Sequence, residues 1–127
     1  MLKVLIADDS TPIRERIIKL LSDLSNVEIA GEAIDGIETA VLVRKTKPDL
    51  VILDLQMPKL SGLEILPRLK EMDPPPLIVV LTNYSTSPMK AMCTRKGADF
   101  FFDKSTEFEK AIAVIENMSA DRASVSS

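Results

Sequence analysis

Five side chains able to bind ions or react stand at the ends of apolar runs. Asp8 and Asp9 follow "LKVLIA", Asp54 follows "LVIL", Thr82 follows "LIVVL", and Lys104 comes shortly after "DFFF". If the fold gathers these ends, three carboxylates share one place. Two unit charges ~4 Å apart repel by about 4 kcal/mol at an effective dielectric near 20, so such a cluster needs a cation or raised pKa values. Carboxylates in an open, watery site suit Mg²⁺, with Mn²⁺ as the alternative, whereas softer metals want Cys or His. The Thr82 hydroxyl and the Lys104 ammonium are groups that cradle a tetrahedral oxyanion. Together these parts suit phosphoryl transfer, with Asp54 as the nucleophile.

The elements that must position these residues are legible as five alternations of strand and helix. Residues 2–7, 27–33, 50–53, 77–81 and 99–102 read as strands, the third and fourth nearly continuous in apolar character and so buried on both faces. Ile13, Ile17, Leu20, Leu21 and Leu24 repeat at helical spacing. The same spacing recurs in Met89, Met92 and Cys93, and in Phe108, Ala111, Ile112, Ile115 and Met118. A second helix over roughly 36–46 closes before Pro48, and a third over roughly 62–71 ends before "DPPP". Pro67 inside that third helix predicts a kink or a loosened turn. Strands alternating with helices imply a parallel sheet covered on both faces. The commonest five-stranded order, 2-1-3-4-5, makes strands one and three neighbours, and ligands bind such sheets at the carboxyl ends of the strands. The reading divides the chain into one domain over 1–118 and a flexible tail or linker stub over 119–127.

Composition narrows the function. The chain has 127 residues, enough for one well-filled core, and a net charge of −3, which argues against direct nucleic-acid binding. No apolar run is long enough to span a bilayer, and the start turns acidic too soon for a secretory signal. A single cysteine excludes an internal disulfide and fits a reducing, cytoplasmic compartment. With no histidine there is no Ser-His-Asp triad and no imidazole zinc site. Taken singly, several features have plainer roles. Asp9 or Ser10 before Pro12 can cap a helix, Cys93 lies on an apolar stripe, and Phe100 to Phe102 pack both faces of a strand.

The segments "IADDS", "PDLVILDLQMPKLSG", "VVLTN" and "GADFFFDKS", in this order and spacing, resemble the receiver domain of two-component response regulators over residues 1 to about 118. The resemblance implies a flavodoxin-like doubly wound (βα)5 three-layer sandwich. It implies that Asp54 accepts a phosphoryl group from the phosphohistidine of a sensor histidine kinase or a phosphotransfer protein of a phosphorelay. Mg²⁺ would be held by Asp9, Asp54 and the backbone carbonyl of Gln56, with Asp8 acting through water. Lys104 would pair with Asp54 and then with a phosphoryl oxygen, while Thr82 moves to bond the phosphate and Phe101 occupies the aromatic switch position. The fourth helix, fifth strand and fifth helix would form the controlled face, through which two copies can pair.

Four departures from the family pattern carry expectations. Phe101 stands where Tyr is usual, so no hydroxyl pins the inward rotamer. Asn83 stands where Ala or Gly is common, and can crowd the phosphoryl group or supply it a donor. Ser105 replaces a proline after Lys104, predicting a trans peptide. Gln56 and Tyr84, both large, occupy positions that in the family flank the path of a hydrolytic water, which predicts slow autodephosphorylation. Three rivals remain. A small-molecule phosphatase lacks its second acid, since Gln56 occupies that position. A flavin carrier wants a phosphate loop where "DDST" repels phosphate. The third is an interaction module of this fold that works without phosphorylation.

Overall fold

The computed structural model describes the main chain of residues 1–126 and the side chains of residues 1–121. Strands β1 (Leu2–Ala7), β2 (Val27–Ala33), β3 (Leu50–Leu53), β4 (Leu77–Thr82) and β5 (Phe100–Asp103) alternate with helices α1 (Thr11–Ser22), α2 (Gly36–Thr46), α3 (Gly62–Lys70), α4 (Ser87–Lys96) and α5 (Phe108–Ser126). All strand pairings are parallel, as expected from the alternation, and the order is β2-β1-β3-β4-β5, the commonest order for five such strands.

The continuous apolar strands are explained by two cores, one on each face. Leu5, Ala7, Val51, Leu53, Ile78, Val80 and Phe101 point to the side covered by α2, α3 and α4. Their alternate neighbours Val4, Ile6, Leu50, Ile52, Val79 and Leu81 point to the side where Ile17 and Leu21 of α1 and Phe108, Ala111 and Ile115 of α5 pack. Each fully buried aliphatic side chain contributes roughly 1.5–3 kcal/mol of transfer free energy. The sheet is thus held from both sides, and its carboxyl edge is left as the place where polar groups gather.

Helix starts are set by short polar caps. The Ser10 hydroxyl accepts from Ile13 N ahead of Pro12, and Asp35 caps α2 through Glu38 N. Ser61 and Glu64 form a reciprocal capping box on α3. Several boundaries differ from the sequence reading, among them the ends of β4 and β5, which each run one residue further, to Thr82 and Asp103. Helix α1 stops at Ser22, and Leu24 still reaches the core through a turn in which Leu24 N donates to Leu21 O. Strand β5 begins at Phe100 because the Asp99 side chain is used otherwise, accepting Ile78 N at 2.8 Å and Lys70 Nζ at 2.9 Å. Helix α5 runs to Ser126, through residues read as a tail, while Ser127 lies outside the described residues. Pro67 does sit inside α3; the helix ends three residues later, with Met72 N donating to Leu69 O at 3.3 Å. Among the described residues the one cis peptide is Asp73–Pro74, so the Lys104–Ser105 bond is trans as expected.

The loop after β3 is pinned from below. Leu55 and Met57 are buried in the α2–α3–α4 core while Gln56 and Pro58 are exposed, so an apolar alternation holds the segment against the sheet. Gly62 closes it: a Cβ there would lie 1.9 Å from the Asp54 carbonyl oxygen and 2.9 Å from Leu55 Cα. Backbone cannot yield as a side chain can. Gly62→Ala is expected to lower unfolding free energy by about 3 kcal/mol, the upper range for overpacking, in chemical denaturation. An unchanged midpoint would show that the loop is not pinned in this way.

Candidate functional site

Strand register brings the acids together. Ala7 pairs with Leu53, so the residues that follow, Asp8 and Asp54, emerge side by side at the carboxyl edge. Asp54 N donates to Ala7 O at 3.0 Å and Asp8 N to Ala33 O at 3.0 Å, so both main chains are fixed by the sheet. On the other side Thr82 pairs with Asp103, and Lys104 N donates to Thr82 O at 2.9 Å. The Lys104 side chain then reaches back across the edge. Its Nζ lies 2.7 Å from Asp8 Oδ2 and 2.9 Å from Asp54 Oδ2.

Asp8 and Asp54 are buried, at 2% and 5% exposure, while Asp9 is exposed. The other Asp8 oxygen accepts Ser10 N at 2.8 Å, and Asp54 Oδ1 accepts Gln56 N at 3.2 Å. Burial, the largest influence, holds the Asp8 carboxyl above its usual value, and the charge of Asp54 adds to this. Bonds from Lys104 and Ser10 pull the other way. For Lys104, burial alone would disfavour the charge, but bonds to Asp8 and Asp54 outweigh it and hold the ammonium above its usual value. Two buried carboxylates therefore share one protonated ammonium, with the Asp9 carboxylate close by them.

That imbalance is what a cation would correct. One oxygen from each of Asp8, Asp9 and Asp54 lies within 4.8 Å of the others. All are hard donors with no sulfur or imidazole among them, which fits Mg²⁺ or Mn²⁺ and excludes a site built for softer ions. Since Asp8 spends both oxygens on Lys104 and Ser10, the exposed Asp9 is the carboxylate with the most freedom to meet an ion.

Of the remaining expected residues, Thr82, Asn83, Tyr84 and Gln56 lie at or just beyond the same edge, and Phe101 lies deeper in β5. Thr82 is fully buried and its hydroxyl oxygen accepts Tyr84 N at 3.1 Å. Asn83 Oδ1 accepts the Ser105 hydroxyl at 3.0 Å, turning its carbonyl end towards the β5–α5 loop. Tyr84 is 46% exposed, and Gln56 is also at the surface. Phe101 is 9% exposed and packs in the core with Val80 and Cys93. The ring therefore already occupies a buried position in this conformation.

Two groups escaped the sequence reading. Arg14, one turn into α1, donates from Nη1 to the Asp8 carbonyl at 2.7 Å and from Nε to Glu32 at 3.0 Å, clamping the loop that carries Asp8 and Asp9. Asp103 gathers the Ser85 hydroxyl, Ser105 N, Thr106 N and the Thr106 hydroxyl. A signal existed only for the second: "DKSTE" before a helical run has the acid and hydroxyl spacing of a capping motif.

A doubly wound parallel domain with this acidic pocket and its lysine defines a phosphoacceptor class of signalling module. Residues 4–116 match the family described as "Response regulator receiver domain", and the chain belongs to that family. It is 30% identical over 126 residues to Response regulator GacA of Pseudomonas aeruginosa, covering 99% of this chain and 59% of that protein. It is 41% identical over 106 residues to a protein-glutamate methylesterase/protein-glutamine glutaminase of Methanospirillum hungatei, covering 82% of this chain and 31% of the relative. The chain thus spans about a third to three fifths of the length of these relatives. Among solved structures it resembles a LuxR-family response regulator from Aurantimonas, with TM-score 0.84 and 26% identity over 94% of this chain and 85% of that one. It also resembles the response regulator domain of Thermotoga maritima CheB, with TM-score 0.82 and 23% identity over 95% of each chain. Among the described residues no helix is long and apolar enough to cross a membrane.

The raised Asp8 value has a signed consequence. The folded chain binds that proton more tightly than the unfolded one, so Asp8's contribution to stability grows as pH falls through its folded value towards 3.8. Without divalent ions, Asp8→Asn is expected to be more stable than wild type at pH 7. The gap should narrow on acidification in urea titrations, and a gap that widens would contradict the electrostatic account.

Proposed function

We propose that Asp54 takes a phosphoryl group from the phosphohistidine of a sensor histidine kinase or phosphotransfer protein in a Mg²⁺-dependent step. An Asp54 oxygen attacks phosphorus, the phosphorus–nitrogen bond to the donor imidazole breaks, and an acyl phosphate forms on Asp54. Asp9, Asp54 and the Gln56 carbonyl would hold the ion, with Asp8 supporting it through water; the ion supplies charge neutralisation for the phosphoryl oxygens. One observation carries the reading above all: a single ammonium bridges Asp8 and Asp54 at 2.7 and 2.9 Å, at the sheet edge where Thr82 also ends. Lys104 shields the nucleophile's charge before transfer and can pair with a phosphoryl oxygen afterwards. Support also comes from a structural neighbour, the CheX-CheY-BeF3-Mg complex from Borrelia burgdorferi, with TM-score 0.77.

The new group brings about −1.5 to −2 charges and three acceptor oxygens. The Thr82 hydroxyl and Asn83 amide are the donors nearest in sequence to meet them, and their movement would bias the α4–β5–α5 face towards new protein contacts, including pairing of two copies. Phe101, already buried, adds little to that bias, in keeping with its missing hydroxyl. The reading assigns the chain a cytoplasmic place beside its donor, with no role for nucleic acid or membrane in this domain, and no substrate turnover of its own.

Incubation with Mg²⁺ and acetyl phosphate or phosphoramidate, followed by intact-mass measurement, tests this directly. Wild type should gain one phosphoryl group and Asp54→Asn none, and the label should decay several-fold faster in a Gln56→Ala, Tyr84→Ala double variant. A wild-type chain that stays unmodified would favour the phosphorylation-independent module.

A further inference from the structure

Two loops flank the pocket on its β4–β5 side, and side chains bind them to each other. The β4–α4 loop contributes Asn83 and Ser85; the end of β5 contributes Asp103 and the loop after it Ser105. The Ser85 hydroxyl donates to Asp103 Oδ2, and the Ser105 hydroxyl donates to Asn83 Oδ1 at 3.0 Å. Asp103 is itself held. Its Oδ1 accepts Ser105 N at 2.8 Å, Thr106 N at 2.9 Å and the Thr106 hydroxyl at 3.1 Å. Its own N–H donates to Glu107 Oε1 at 3.1 Å. The carboxylate is half-buried, and this set of donors, the Ser85 hydroxyl foremost, holds it below the usual carboxylate range.

We propose that Asp103 is a positioning residue, the hub of a clasp through Ser85 and the Ser105–Asn83 bond that holds the β4–α4 loop in its unphosphorylated position and opposes switching. The inference rests on the phosphoacceptor reading and goes beyond it. The main chain of Thr82 cannot travel far, because Lys104 N donates to its carbonyl at 2.9 Å as part of the sheet. Its hydroxyl oxygen is meanwhile occupied by Tyr84 N at 3.1 Å. Turning Thr82 to a phosphoryl group on Asp54 therefore displaces the chain that follows, residues 83–86, relative to 103–106. Those are the two segments that the clasp joins. Bonds made in the resting conformation and lost in the switched one shift the equilibrium towards rest.

Beryllofluoride with Mg²⁺, a stand-in for the phosphoryl group on Asp54, provides the test. Nitrogen-15 spectra of the full chain are recorded without and with it for wild type, Ser85→Ala, Ser105→Ala, the double variant and Ser85→Thr, which keeps a hydroxyl. Each alanine variant should bind beryllofluoride about fivefold more tightly, the equilibrium weight of one ordinary hydrogen bond, and the double variant more tightly still. The free-state amide signals of residues 83–86 should already lie part of the way to their beryllofluoride positions in the alanine variants, while Ser85→Thr behaves as wild type. Unchanged or weaker binding in the alanine variants, with a normal wild-type response, overturns the clasp alone. A wild-type chain that does not respond at all overturns both the clasp and the phosphoacceptor reading.

Discussion

Asp8 and Asp54, both buried, lean on one lysine that comes from the far end of the chain. Asp8 and Lys104 are separated by 96 residues, Asp54 and Lys104 by 50, and all three meet because parallel strand register leaves them at the same edge. Bare, such a cluster would be unstable: like charges this close repel by several kcal/mol at an effective dielectric near 20. Lys104 offsets part of that repulsion, and Asp9 adds a third carboxylate without adding a second cation. The pocket is therefore left in electrostatic deficit. That deficit is what a divalent ion would correct, and under the proposed function a polyanionic phosphoryl group could be received there only while it is corrected.

The surrounding fold makes this deficit tolerable. Two apolar cores grip the sheet from both faces, so strain at the carboxyl edge does not spread into strand pairing. Arg14 ties the loop after β1 by its carbonyl, Gly62 and the buried Leu55 and Met57 tie the loop after β3, and Asp103 ties the loop after β5. The β4–α4 loop has different attachments, made by side chains through Ser85 and Asn83. Side-chain bonds exchange more readily than a buried backbone. A segment held in this way can be fixed at rest and still able to move, as a switch element requires.

Much of this was legible in the sequence because the strands are short, apolar and bounded by acids or turn residues. Helix placement followed from the alternation and the sheet order from the commonest winding of five parallel strands, and α2 ends where Lys47 takes a left-handed conformation just before Pro48. The misjudged ends have local causes. Leu24 keeps helical spacing although the helix has already ended, since a turn suffices to bring it to the core. Asp99 looks like strand but spends its carboxylate on Ile78 N and Lys70. The gathering of Asp8, Asp9 and Asp54 was predictable from topology. The second partner of Lys104, the reach of Arg14 to the Asp8 carbonyl and the pairing of Ser85 with Asp103 were not. Each joins residues on different loops, and neither propensity nor periodicity records such contacts.

Direct titration of Mn²⁺, followed by electron paramagnetic resonance of the free ion, tests the central claim without any partner or phosphoryl donor. The account predicts one ion bound per wild-type chain and clear loss of affinity in Asp9→Asn, whose replaced carboxylate is exposed and uninvolved in the core. Binding that is absent in wild type, or indifferent to Asp9→Asn, would contradict it.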